Sequence, residues 1–193
     1  MYALVELGTI TKYFNNPKGF MLGDVQYSSD IFMKWSVEEK QAIGIHEVVF
    51  DNSNKKDGQW YINTNQTFVF ANNIVTASYG TATPIAHADV TETINGVEST
   101  TLGLKTNLIK DLKSNVANEL AKTDWYITRK TEKSTAIPSA ISTHRDLVRS
   151  RQVSIEAQII GAADTAALET LHTYTTTDGV QSRPLGELPV LES

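Results

Sequence analysis

The sequence predicts an α+β protein: a small β-rich unit over residues 1–85 with one short helix, then a helical region over 104–172 and an extended tail over 173–193. Three observations carry that prediction. Short apolar runs bounded by Asn, Gly and Asp crowd the first 85 residues, as strands and tight turns require. Leu104, Leu108, Leu112, Val116 and Leu120 recur every four residues, a helical stripe. Beyond Gly179, the residues Pro184, Gly186 and Pro189 interrupt any regular period.

Taken in order, residues 1–8 alternate loosely and predict an opening strand, and Asn15-Asn16-Pro17-Lys18-Gly19 predicts a turn. Ser36 followed by Glu39 fits a capping box, so a short helix is expected over about 36–43, stopped by Gly44. Ile45 to Asp51 is apolar and β-branched and reads as a buried strand. Residues 52–58 read as a polar loop, and 59–63 as a further strand. Segments 66–71 and 74–80 flank Asn72-Asn73, two residues tolerant of left-handed backbone, and so predict a hairpin. On it Phe68 and Phe70 share one face, as do Val75, Ala77 and Tyr79. Residues 86–103 are rich in Thr, Asn, Glu and Gly and read as a linker or arm.

The helix over 104–122 repeats in fours rather than heptads. A heptad through Ile109, Leu112 and Val116 would run into Lys105 and Glu119, so a coiled-coil shaft is not expected and the helix should lie on its own domain. After an aromatic pair and a polar turn, Pro138 suits the start of a helix running to about 160, before Gly161. Asp164 or Thr165 is placed to cap a short helix carrying Leu168 and Leu171. There is no internal repeat, so no repetitive fibre shaft.

Composition narrows the function classes. With 40% hydrophobic and 20% charged residues the chain can bury a core. The net charge of −5 is unevenly spread: −5 over 1–104, +5 over 105–151 and −5 over 152–193. That pattern suits packing between protein surfaces, or equally three ordinary solvated faces. The basic middle interleaves carboxylates and lacks dense Lys/Arg runs with paired aromatics, so no nucleic-acid partner is expected. No apolar run approaches a membrane span, and the first residues lack the form of a secretory signal. In that light the sequon Asn65-Gln66-Thr67 reads as chance. There are no cysteines for disulfides or thiolate metal sites.

No catalytic, metal or cofactor constellation emerges. His46, His87, His144 and His172 fall outside any zinc-ligand spacing, and Lys55 spoils a calcium loop over Asp51–Asp57. Nucleophile elbows and phosphate-binding glycine loops are missing, and Glu38-Glu39 sits where a helix dipole welcomes acid. The expectation is a protein without enzymatic activity or cofactor, working through contacts. The candidate packing or interface residues are Trp125, Tyr126, Arg129, Arg145 and Arg149, with Leu185, Leu188, Val190 and Leu191 in the tail. Trp125 lies between two amphipathic segments and is expected to pack helix 104–122 against helix 138–160. Arg129, Arg145 and Arg149 have Asp124 and Asp146 as candidate partners, and Arg145 and Arg149, spaced by four, share a face. The apolar tail residues suit the groove or sheet edge of a neighbouring subunit, or a return onto their own domain.

The order Thr123-Asp124-Trp125-Tyr126, Arg129, Pro138, Arg145, Arg149 resembles a C-terminal segment recurring in small tailed-phage tail proteins, including tail-fibre assembly proteins. The N-terminal part resembles marine-phage virion proteins through Trp35-Ser36, Glu39, Ala42-Ile43-Gly44-Ile45 and Val48, with Tyr61-Ile62 and residues 77–83 beyond. Together these touch most of 1–150. The resemblance implies a virion structural protein in the tail or at a fibre attachment site, made in the bacterial host cytoplasm. Its partners would be other tail or fibre proteins, in a homo-oligomer or larger assembly. The alternative it implies is a tail-fibre assembly chaperone not retained in the virion. A hydrolase acting on host polysaccharide is the third class, weakened by small size and by lack of an acid pair.

Overall fold

The computed structural model describes residues 1–64 and 66–191. The sequon at Asn65 and the last two tail residues therefore lie outside the described residues. The protein is mixed α and β, divided into two compact units, Met1–Thr83 and Pro84–Ser193.

The first unit is built on a five-stranded sheet. Its elements are β1 (Tyr2–Glu6), β2 (Thr9–Phe14), β3 (Phe20–Leu22), β4 (Val25–Tyr27), α1 (Ile31–Lys34), α2 (Val37–Ala42), β5 (Ile45–Asp51), β6 (Tyr61–Ile62), β7 (Gln66–Ala71) and β8 (Ile74–Tyr79). The sheet order is β2-β1-β5-β8-β7, antiparallel except for the parallel pair β5–β8. Leu7-Gly8 and Asn72-Asn73 hold positive φ at both turn residues, as two-residue hairpins need to match strand twist. The sheet curls: Tyr13 on edge strand β2 and Phe68 on the opposite edge β7 bring their rings to 4.7 Å.

Pairing register decides which side chains the curl encloses. Ala3, Val5, Val48, Val75 and Ala77 fill the inside, with Phe68 and Phe70 packed against them. On the other face, β1 and β5 present Leu4 and Ile45 to Phe20 of the β3–β4 hairpin and to Ile31 and Phe32 of α1. Phe14 joins this second core, its ring 4.8 Å from Phe20 and 5.3 Å from Phe32. Helix α2 starts with both capping-box bonds: Glu39 N–H donates to Ser36 Oγ at 3.1 Å, and Ser36 N–H to Glu39 Oε2 at 2.7 Å. Gly44 ends it at φ +80°, and any Cβ there would lie 2.4 Å from Val5 O. Two short helices stand where one was expected, because α1 is a single turn without a capping signal in the sequence.

After the two-residue strand β9 (Thr83–Pro84), the second unit holds β10 (Val90–Ile94), β11 (Val97–Thr101), α3 (Leu104–Ala121), α4 (Asp124–Lys133), α5 (Ser139–Gly161), α6 (Thr165–His172), β12 (Thr175–Thr177) and β13 (Val180–Ser182). Residues 86–103, read as a linker, thus carry a hairpin turning on Asn95-Gly96, both at positive φ. Its base is fixed to α3: Gly103 N–H donates to Asp89 Oδ1 at 2.7 Å, and a Cβ at Gly103 would meet the Ala88 carbonyl carbon at 2.3 Å.

Helices α3 and α5 run antiparallel. Lys105 Nζ at the start of α3 donates to Ile160 O at the end of α5, while Arg145 near the start of α5 reaches Leu120 O. Leu112 and Val116 of α3 are buried, with Ile141, Val148, Ile155 and Ile159 of α5. Pro138 is the N-cap of α5, and Asp164 caps α6 by accepting from Ala167 N–H at 2.8 Å. No helix among the described residues is long and apolar enough to cross a membrane.

Candidate functional site

The expected interface residues separate into a buried corner, an exposed helix and a packed C-terminal segment. The corner forms where α3 ends. The last carbonyls of a helix lack partners within it, and here a side chain from another helix reaches one of them, Leu120 O. Arg145 of α5, itself buried, donates through Nη1 to Leu120 O at 2.8 Å, Thr123 Oγ1 at 2.7 Å and Asp124 Oδ1 at 2.8 Å. Thr123 is 1% exposed and donates its hydroxyl to Leu120 O. The guanidinium therefore meets the negative end of α3 and a carboxylate in the first turn of α4, where a negative charge also suits that helix dipole. One residue away, His144 Nε2 lies 3.2 Å from Glu119 Oε1, and Glu119 also pairs with Lys122. The hydrogen bond from Lys122 holds the Glu119 carboxyl below its ordinary value; burial opposes the shift and His144 adds to it.

Trp125 corrects one expectation. Rather than wedging α3 against α5, it is 54% exposed on α4, a helix with no buried residue. The polar turn expected after Tyr126 is also replaced by this helix, which runs to Lys133 before Ser134 ends it in left-handed backbone. The Arg129 guanidinium sits 4.9 Å from the centre of the Trp125 ring, and the Tyr126 ring 5.0 Å from it on the same helix. Trp125 and Arg129, with Thr128, Glu132 and Lys133, line a shallow groove of about 260 Å³. Arg149 is exposed and lies 3.6 Å from Asp146, a surface pair of small energetic weight. Although spaced by four, Arg145 and Arg149 thus divide between the interior and solvent.

The tail corrects another. Instead of running extended throughout, residues 173–193 include the hairpin β12–β13, and Leu185 beyond it is 3% exposed within the same unit. Leu185 N–H donates to Leu171 O at 3.0 Å. Arg151 of α5 donates to Leu185 O at 2.7 Å and to Glu187 O at 3.1 Å. Leu188 and Leu191 are half-buried and Val190 is exposed. A half-open groove of about 600 Å³ lies beside the segment, floored by Leu108, Leu112, Ile155 and Ile159. His172 on its rim is held below the ordinary histidine value by burial, against its hydrogen bond with Leu168 O.

Arg151, His144 and Glu119 were missed from sequence. For Arg151 a signal existed: it follows Val148 by three and precedes Ile155 by four, on the buried stripe of α5 where an aliphatic residue would be expected. An arginine there calls for acceptors, and the C-terminal segment provides them. His46 is buried with Nδ1 3.2 Å from Asn73 O, a structural role. Among the described residues no three His, Asp or Glu side chains gather as metal ligands. Comparison with family models, curated proteins and solved structures yields no match.

Proposed function

We propose that this chain is a non-enzymatic structural protein of a tailed-phage virion, in the tail or at a tail-fibre attachment site. It acts through contacts with other tail or fibre proteins and with copies of itself. The observation that supports the reading best is the spatial grouping of the residues that carry the resemblance. Thr123, Asp124 and Arg145 lie in one hydrogen-bonded corner, and that corner carries an exposed aromatic–cationic helix bearing Trp125 and Arg129. Trp125 is exposed and Arg129 half-buried, and Trp and Arg are residue types that anchor protein interfaces. On this reading the β-rich unit is the body of the molecule and the helical unit its contact surface, with Leu188, Val190 and Leu191 available to a neighbour beyond the seated Leu185.

Mass spectrometry of purified particles tests the proposal: peptides of this chain should be present at a fixed ratio to the other tail proteins. A second reading, a fibre-assembly chaperone, is favoured by the likeness of residues 123–149 to fibre-assembly proteins. It would be recognised by peptides found with fibre intermediates and missing from particles. Absence from both fractions would sink both readings.

A further inference from the structure

Hairpin β10–β11 and helix α4 bury nothing, as is also true of the shorter hairpin β12–β13. Every residue of β10 and β11 is exposed, and α4 has no buried residue. A two-stranded hairpin with neither face covered is marginal in water, so its apolar residues call for a cover. The register places them together: Val90 opposite Thr101, Glu92 opposite Ser99 and Ile94 opposite Val97 share one face. Val90, Ile94 and Val97 are 41%, 59% and 66% exposed around Glu92. The opposite face holds Thr91, Thr93, Thr100 and Glu98 and is wholly polar.

Helix α4 has the complementary pattern. Trp125, Arg129 and Lys133 follow one another at intervals of four, an aromatic ring and two cations on one stripe. Of the two carboxylates on α4, Asp124 is already paired with Arg145, and Glu132 shares the groove with Arg129 and Lys133. Charge is matched across the two elements. Glu92 is the one charged residue on the hairpin's apolar face, while the α4 stripe holds the cations Arg129 and Lys133 in a helix of net charge +1. The lengths agree as well: ten helical residues span about 15 Å and five strand residues about 17 Å. Trp125, Lys133 and the hairpin's apolar residues are exposed in the folded chain and Arg129 is half-buried, so the two surfaces do not cover each other within one molecule.

We infer that the apolar face of hairpin β10–β11 docks on the Trp125–Arg129–Lys133 stripe of α4 in a second copy of this chain, with Glu92 facing the two cations. The contact is head-to-tail: each copy offers a hairpin to one neighbour and a helix to another, so copies propagate into a ring or a filament. The inference rests on the reading of the chain as an assembly component, but its test uses only the purified full chain, so failure of the contact and absence from the virion are separate results.

Sedimentation of the purified chain should show concentration-dependent association that weakens as salt rises. Glu92→Lys should weaken association by at least about tenfold, as should the pair Arg129→Glu and Lys133→Glu, with circular dichroism unchanged. Glu98→Lys, on the opposite face, should have a clearly smaller effect. The two charge-reversed proteins, each weakened alone, should associate when mixed. Zero-length carboxyl–amine coupling of an isotope-mixed wild-type sample should join Glu92 to Lys133 between copies, a readout that needs no variant to fold. A monomeric wild type at low salt, equal effects of Glu92→Lys and Glu98→Lys, no association in the mixture, or cross-links confined to other surfaces would each overturn the proposal.

Discussion

Two hairpins in this protein are made alike and used differently. Both β7–β8 and β10–β11 pair five or six residues a strand around a turn with positive φ at both central residues, Asn72-Asn73 in one and Asn95-Gly96 in the other. In the first, β8 is zipped into a sheet and Val75 and Ala77 are wholly buried. In the second, no residue is covered. Turn chemistry can specify a hairpin in either setting, but burial sets how much each stabilises its unit. The first unit rests on its sheet; the second rests on α3, α5 and the corner joining them.

The largest expected effect falls on that corner. Arg145→Met should destabilise the second unit by about 3 kcal/mol, since it strips Leu120 O and buried Thr123 of a charged donor. Denaturant unfolding followed at the single Trp of that unit, Trp125, reports it. A midpoint shift below a quarter of that would mean the corner is dispensable. Next, Val75→Ala should cost the first unit about 2 kcal/mol through lost burial and a residual cavity, whereas Val97→Ala on the exposed hairpin should stay within about 0.5 kcal/mol in the isolated chain. Equal costs at the two sites would dissolve the comparison between the hairpins.

Acid sharpens it further. Glu119, through Lys122, and Glu187, whose bonds from Tyr174 and Arg183 outweigh burial, are both held below the ordinary glutamate value. A carboxyl with a depressed folded pKa contributes stability above its unfolded value, about 4.3, and loses it as pH falls through the folded one. Both groups are in the second unit, so its unfolding midpoint should drop on acidification below that value. Glu119→Gln should blunt the drop. The smallest effect is expected from Trp125→Ala: under about 1 kcal/mol, because the ring is mostly solvated. A loss of several kcal/mol would show that the ring is covered in solution.

The same contrast explains what could be read from sequence. Elements that bury a face leave a period behind. The fours of α3, the apolar run of β5 and the alternation of β7–β8 are legible because each serves a core, and the capping box of α2 because its two bonds join residues three apart in sequence. Elements that bury nothing leave none. Hairpin β10–β11 is mostly Thr and Glu and looked like a linker, and α4 looked like a turn. Trp125 was misplaced for the same reason: large aromatics usually seek a core, but its helix lies outside one. The corner was half legible. Charge marks Arg145 and Asp124 as candidate partners in the sequence, but burial of the guanidinium on the end of α3 depends on how α3 crosses α5, which sequence spacing does not encode.

The seat of the C-terminal segment has a consequence for how that segment can vary. Arg151 grips two main-chain oxygens, those of Leu185 and Glu187, and every residue type has such an oxygen. The seat is therefore indifferent to most of the letters it holds. Its discrimination falls on Leu185, which fills the interior, on Gly186, at φ +70°, where an added Cβ would lie 1.6 Å from Arg151 Nη2, and on Glu187, whose carboxylate accepts from Tyr174 and Arg183. The segment is thus spelled by three adjacent positions, one demanding bulk, the next disfavouring it and the third demanding charge. Replacements at 188, 190 or 191 leave the grip intact, while a single methyl at 186 displaces the hand that holds it.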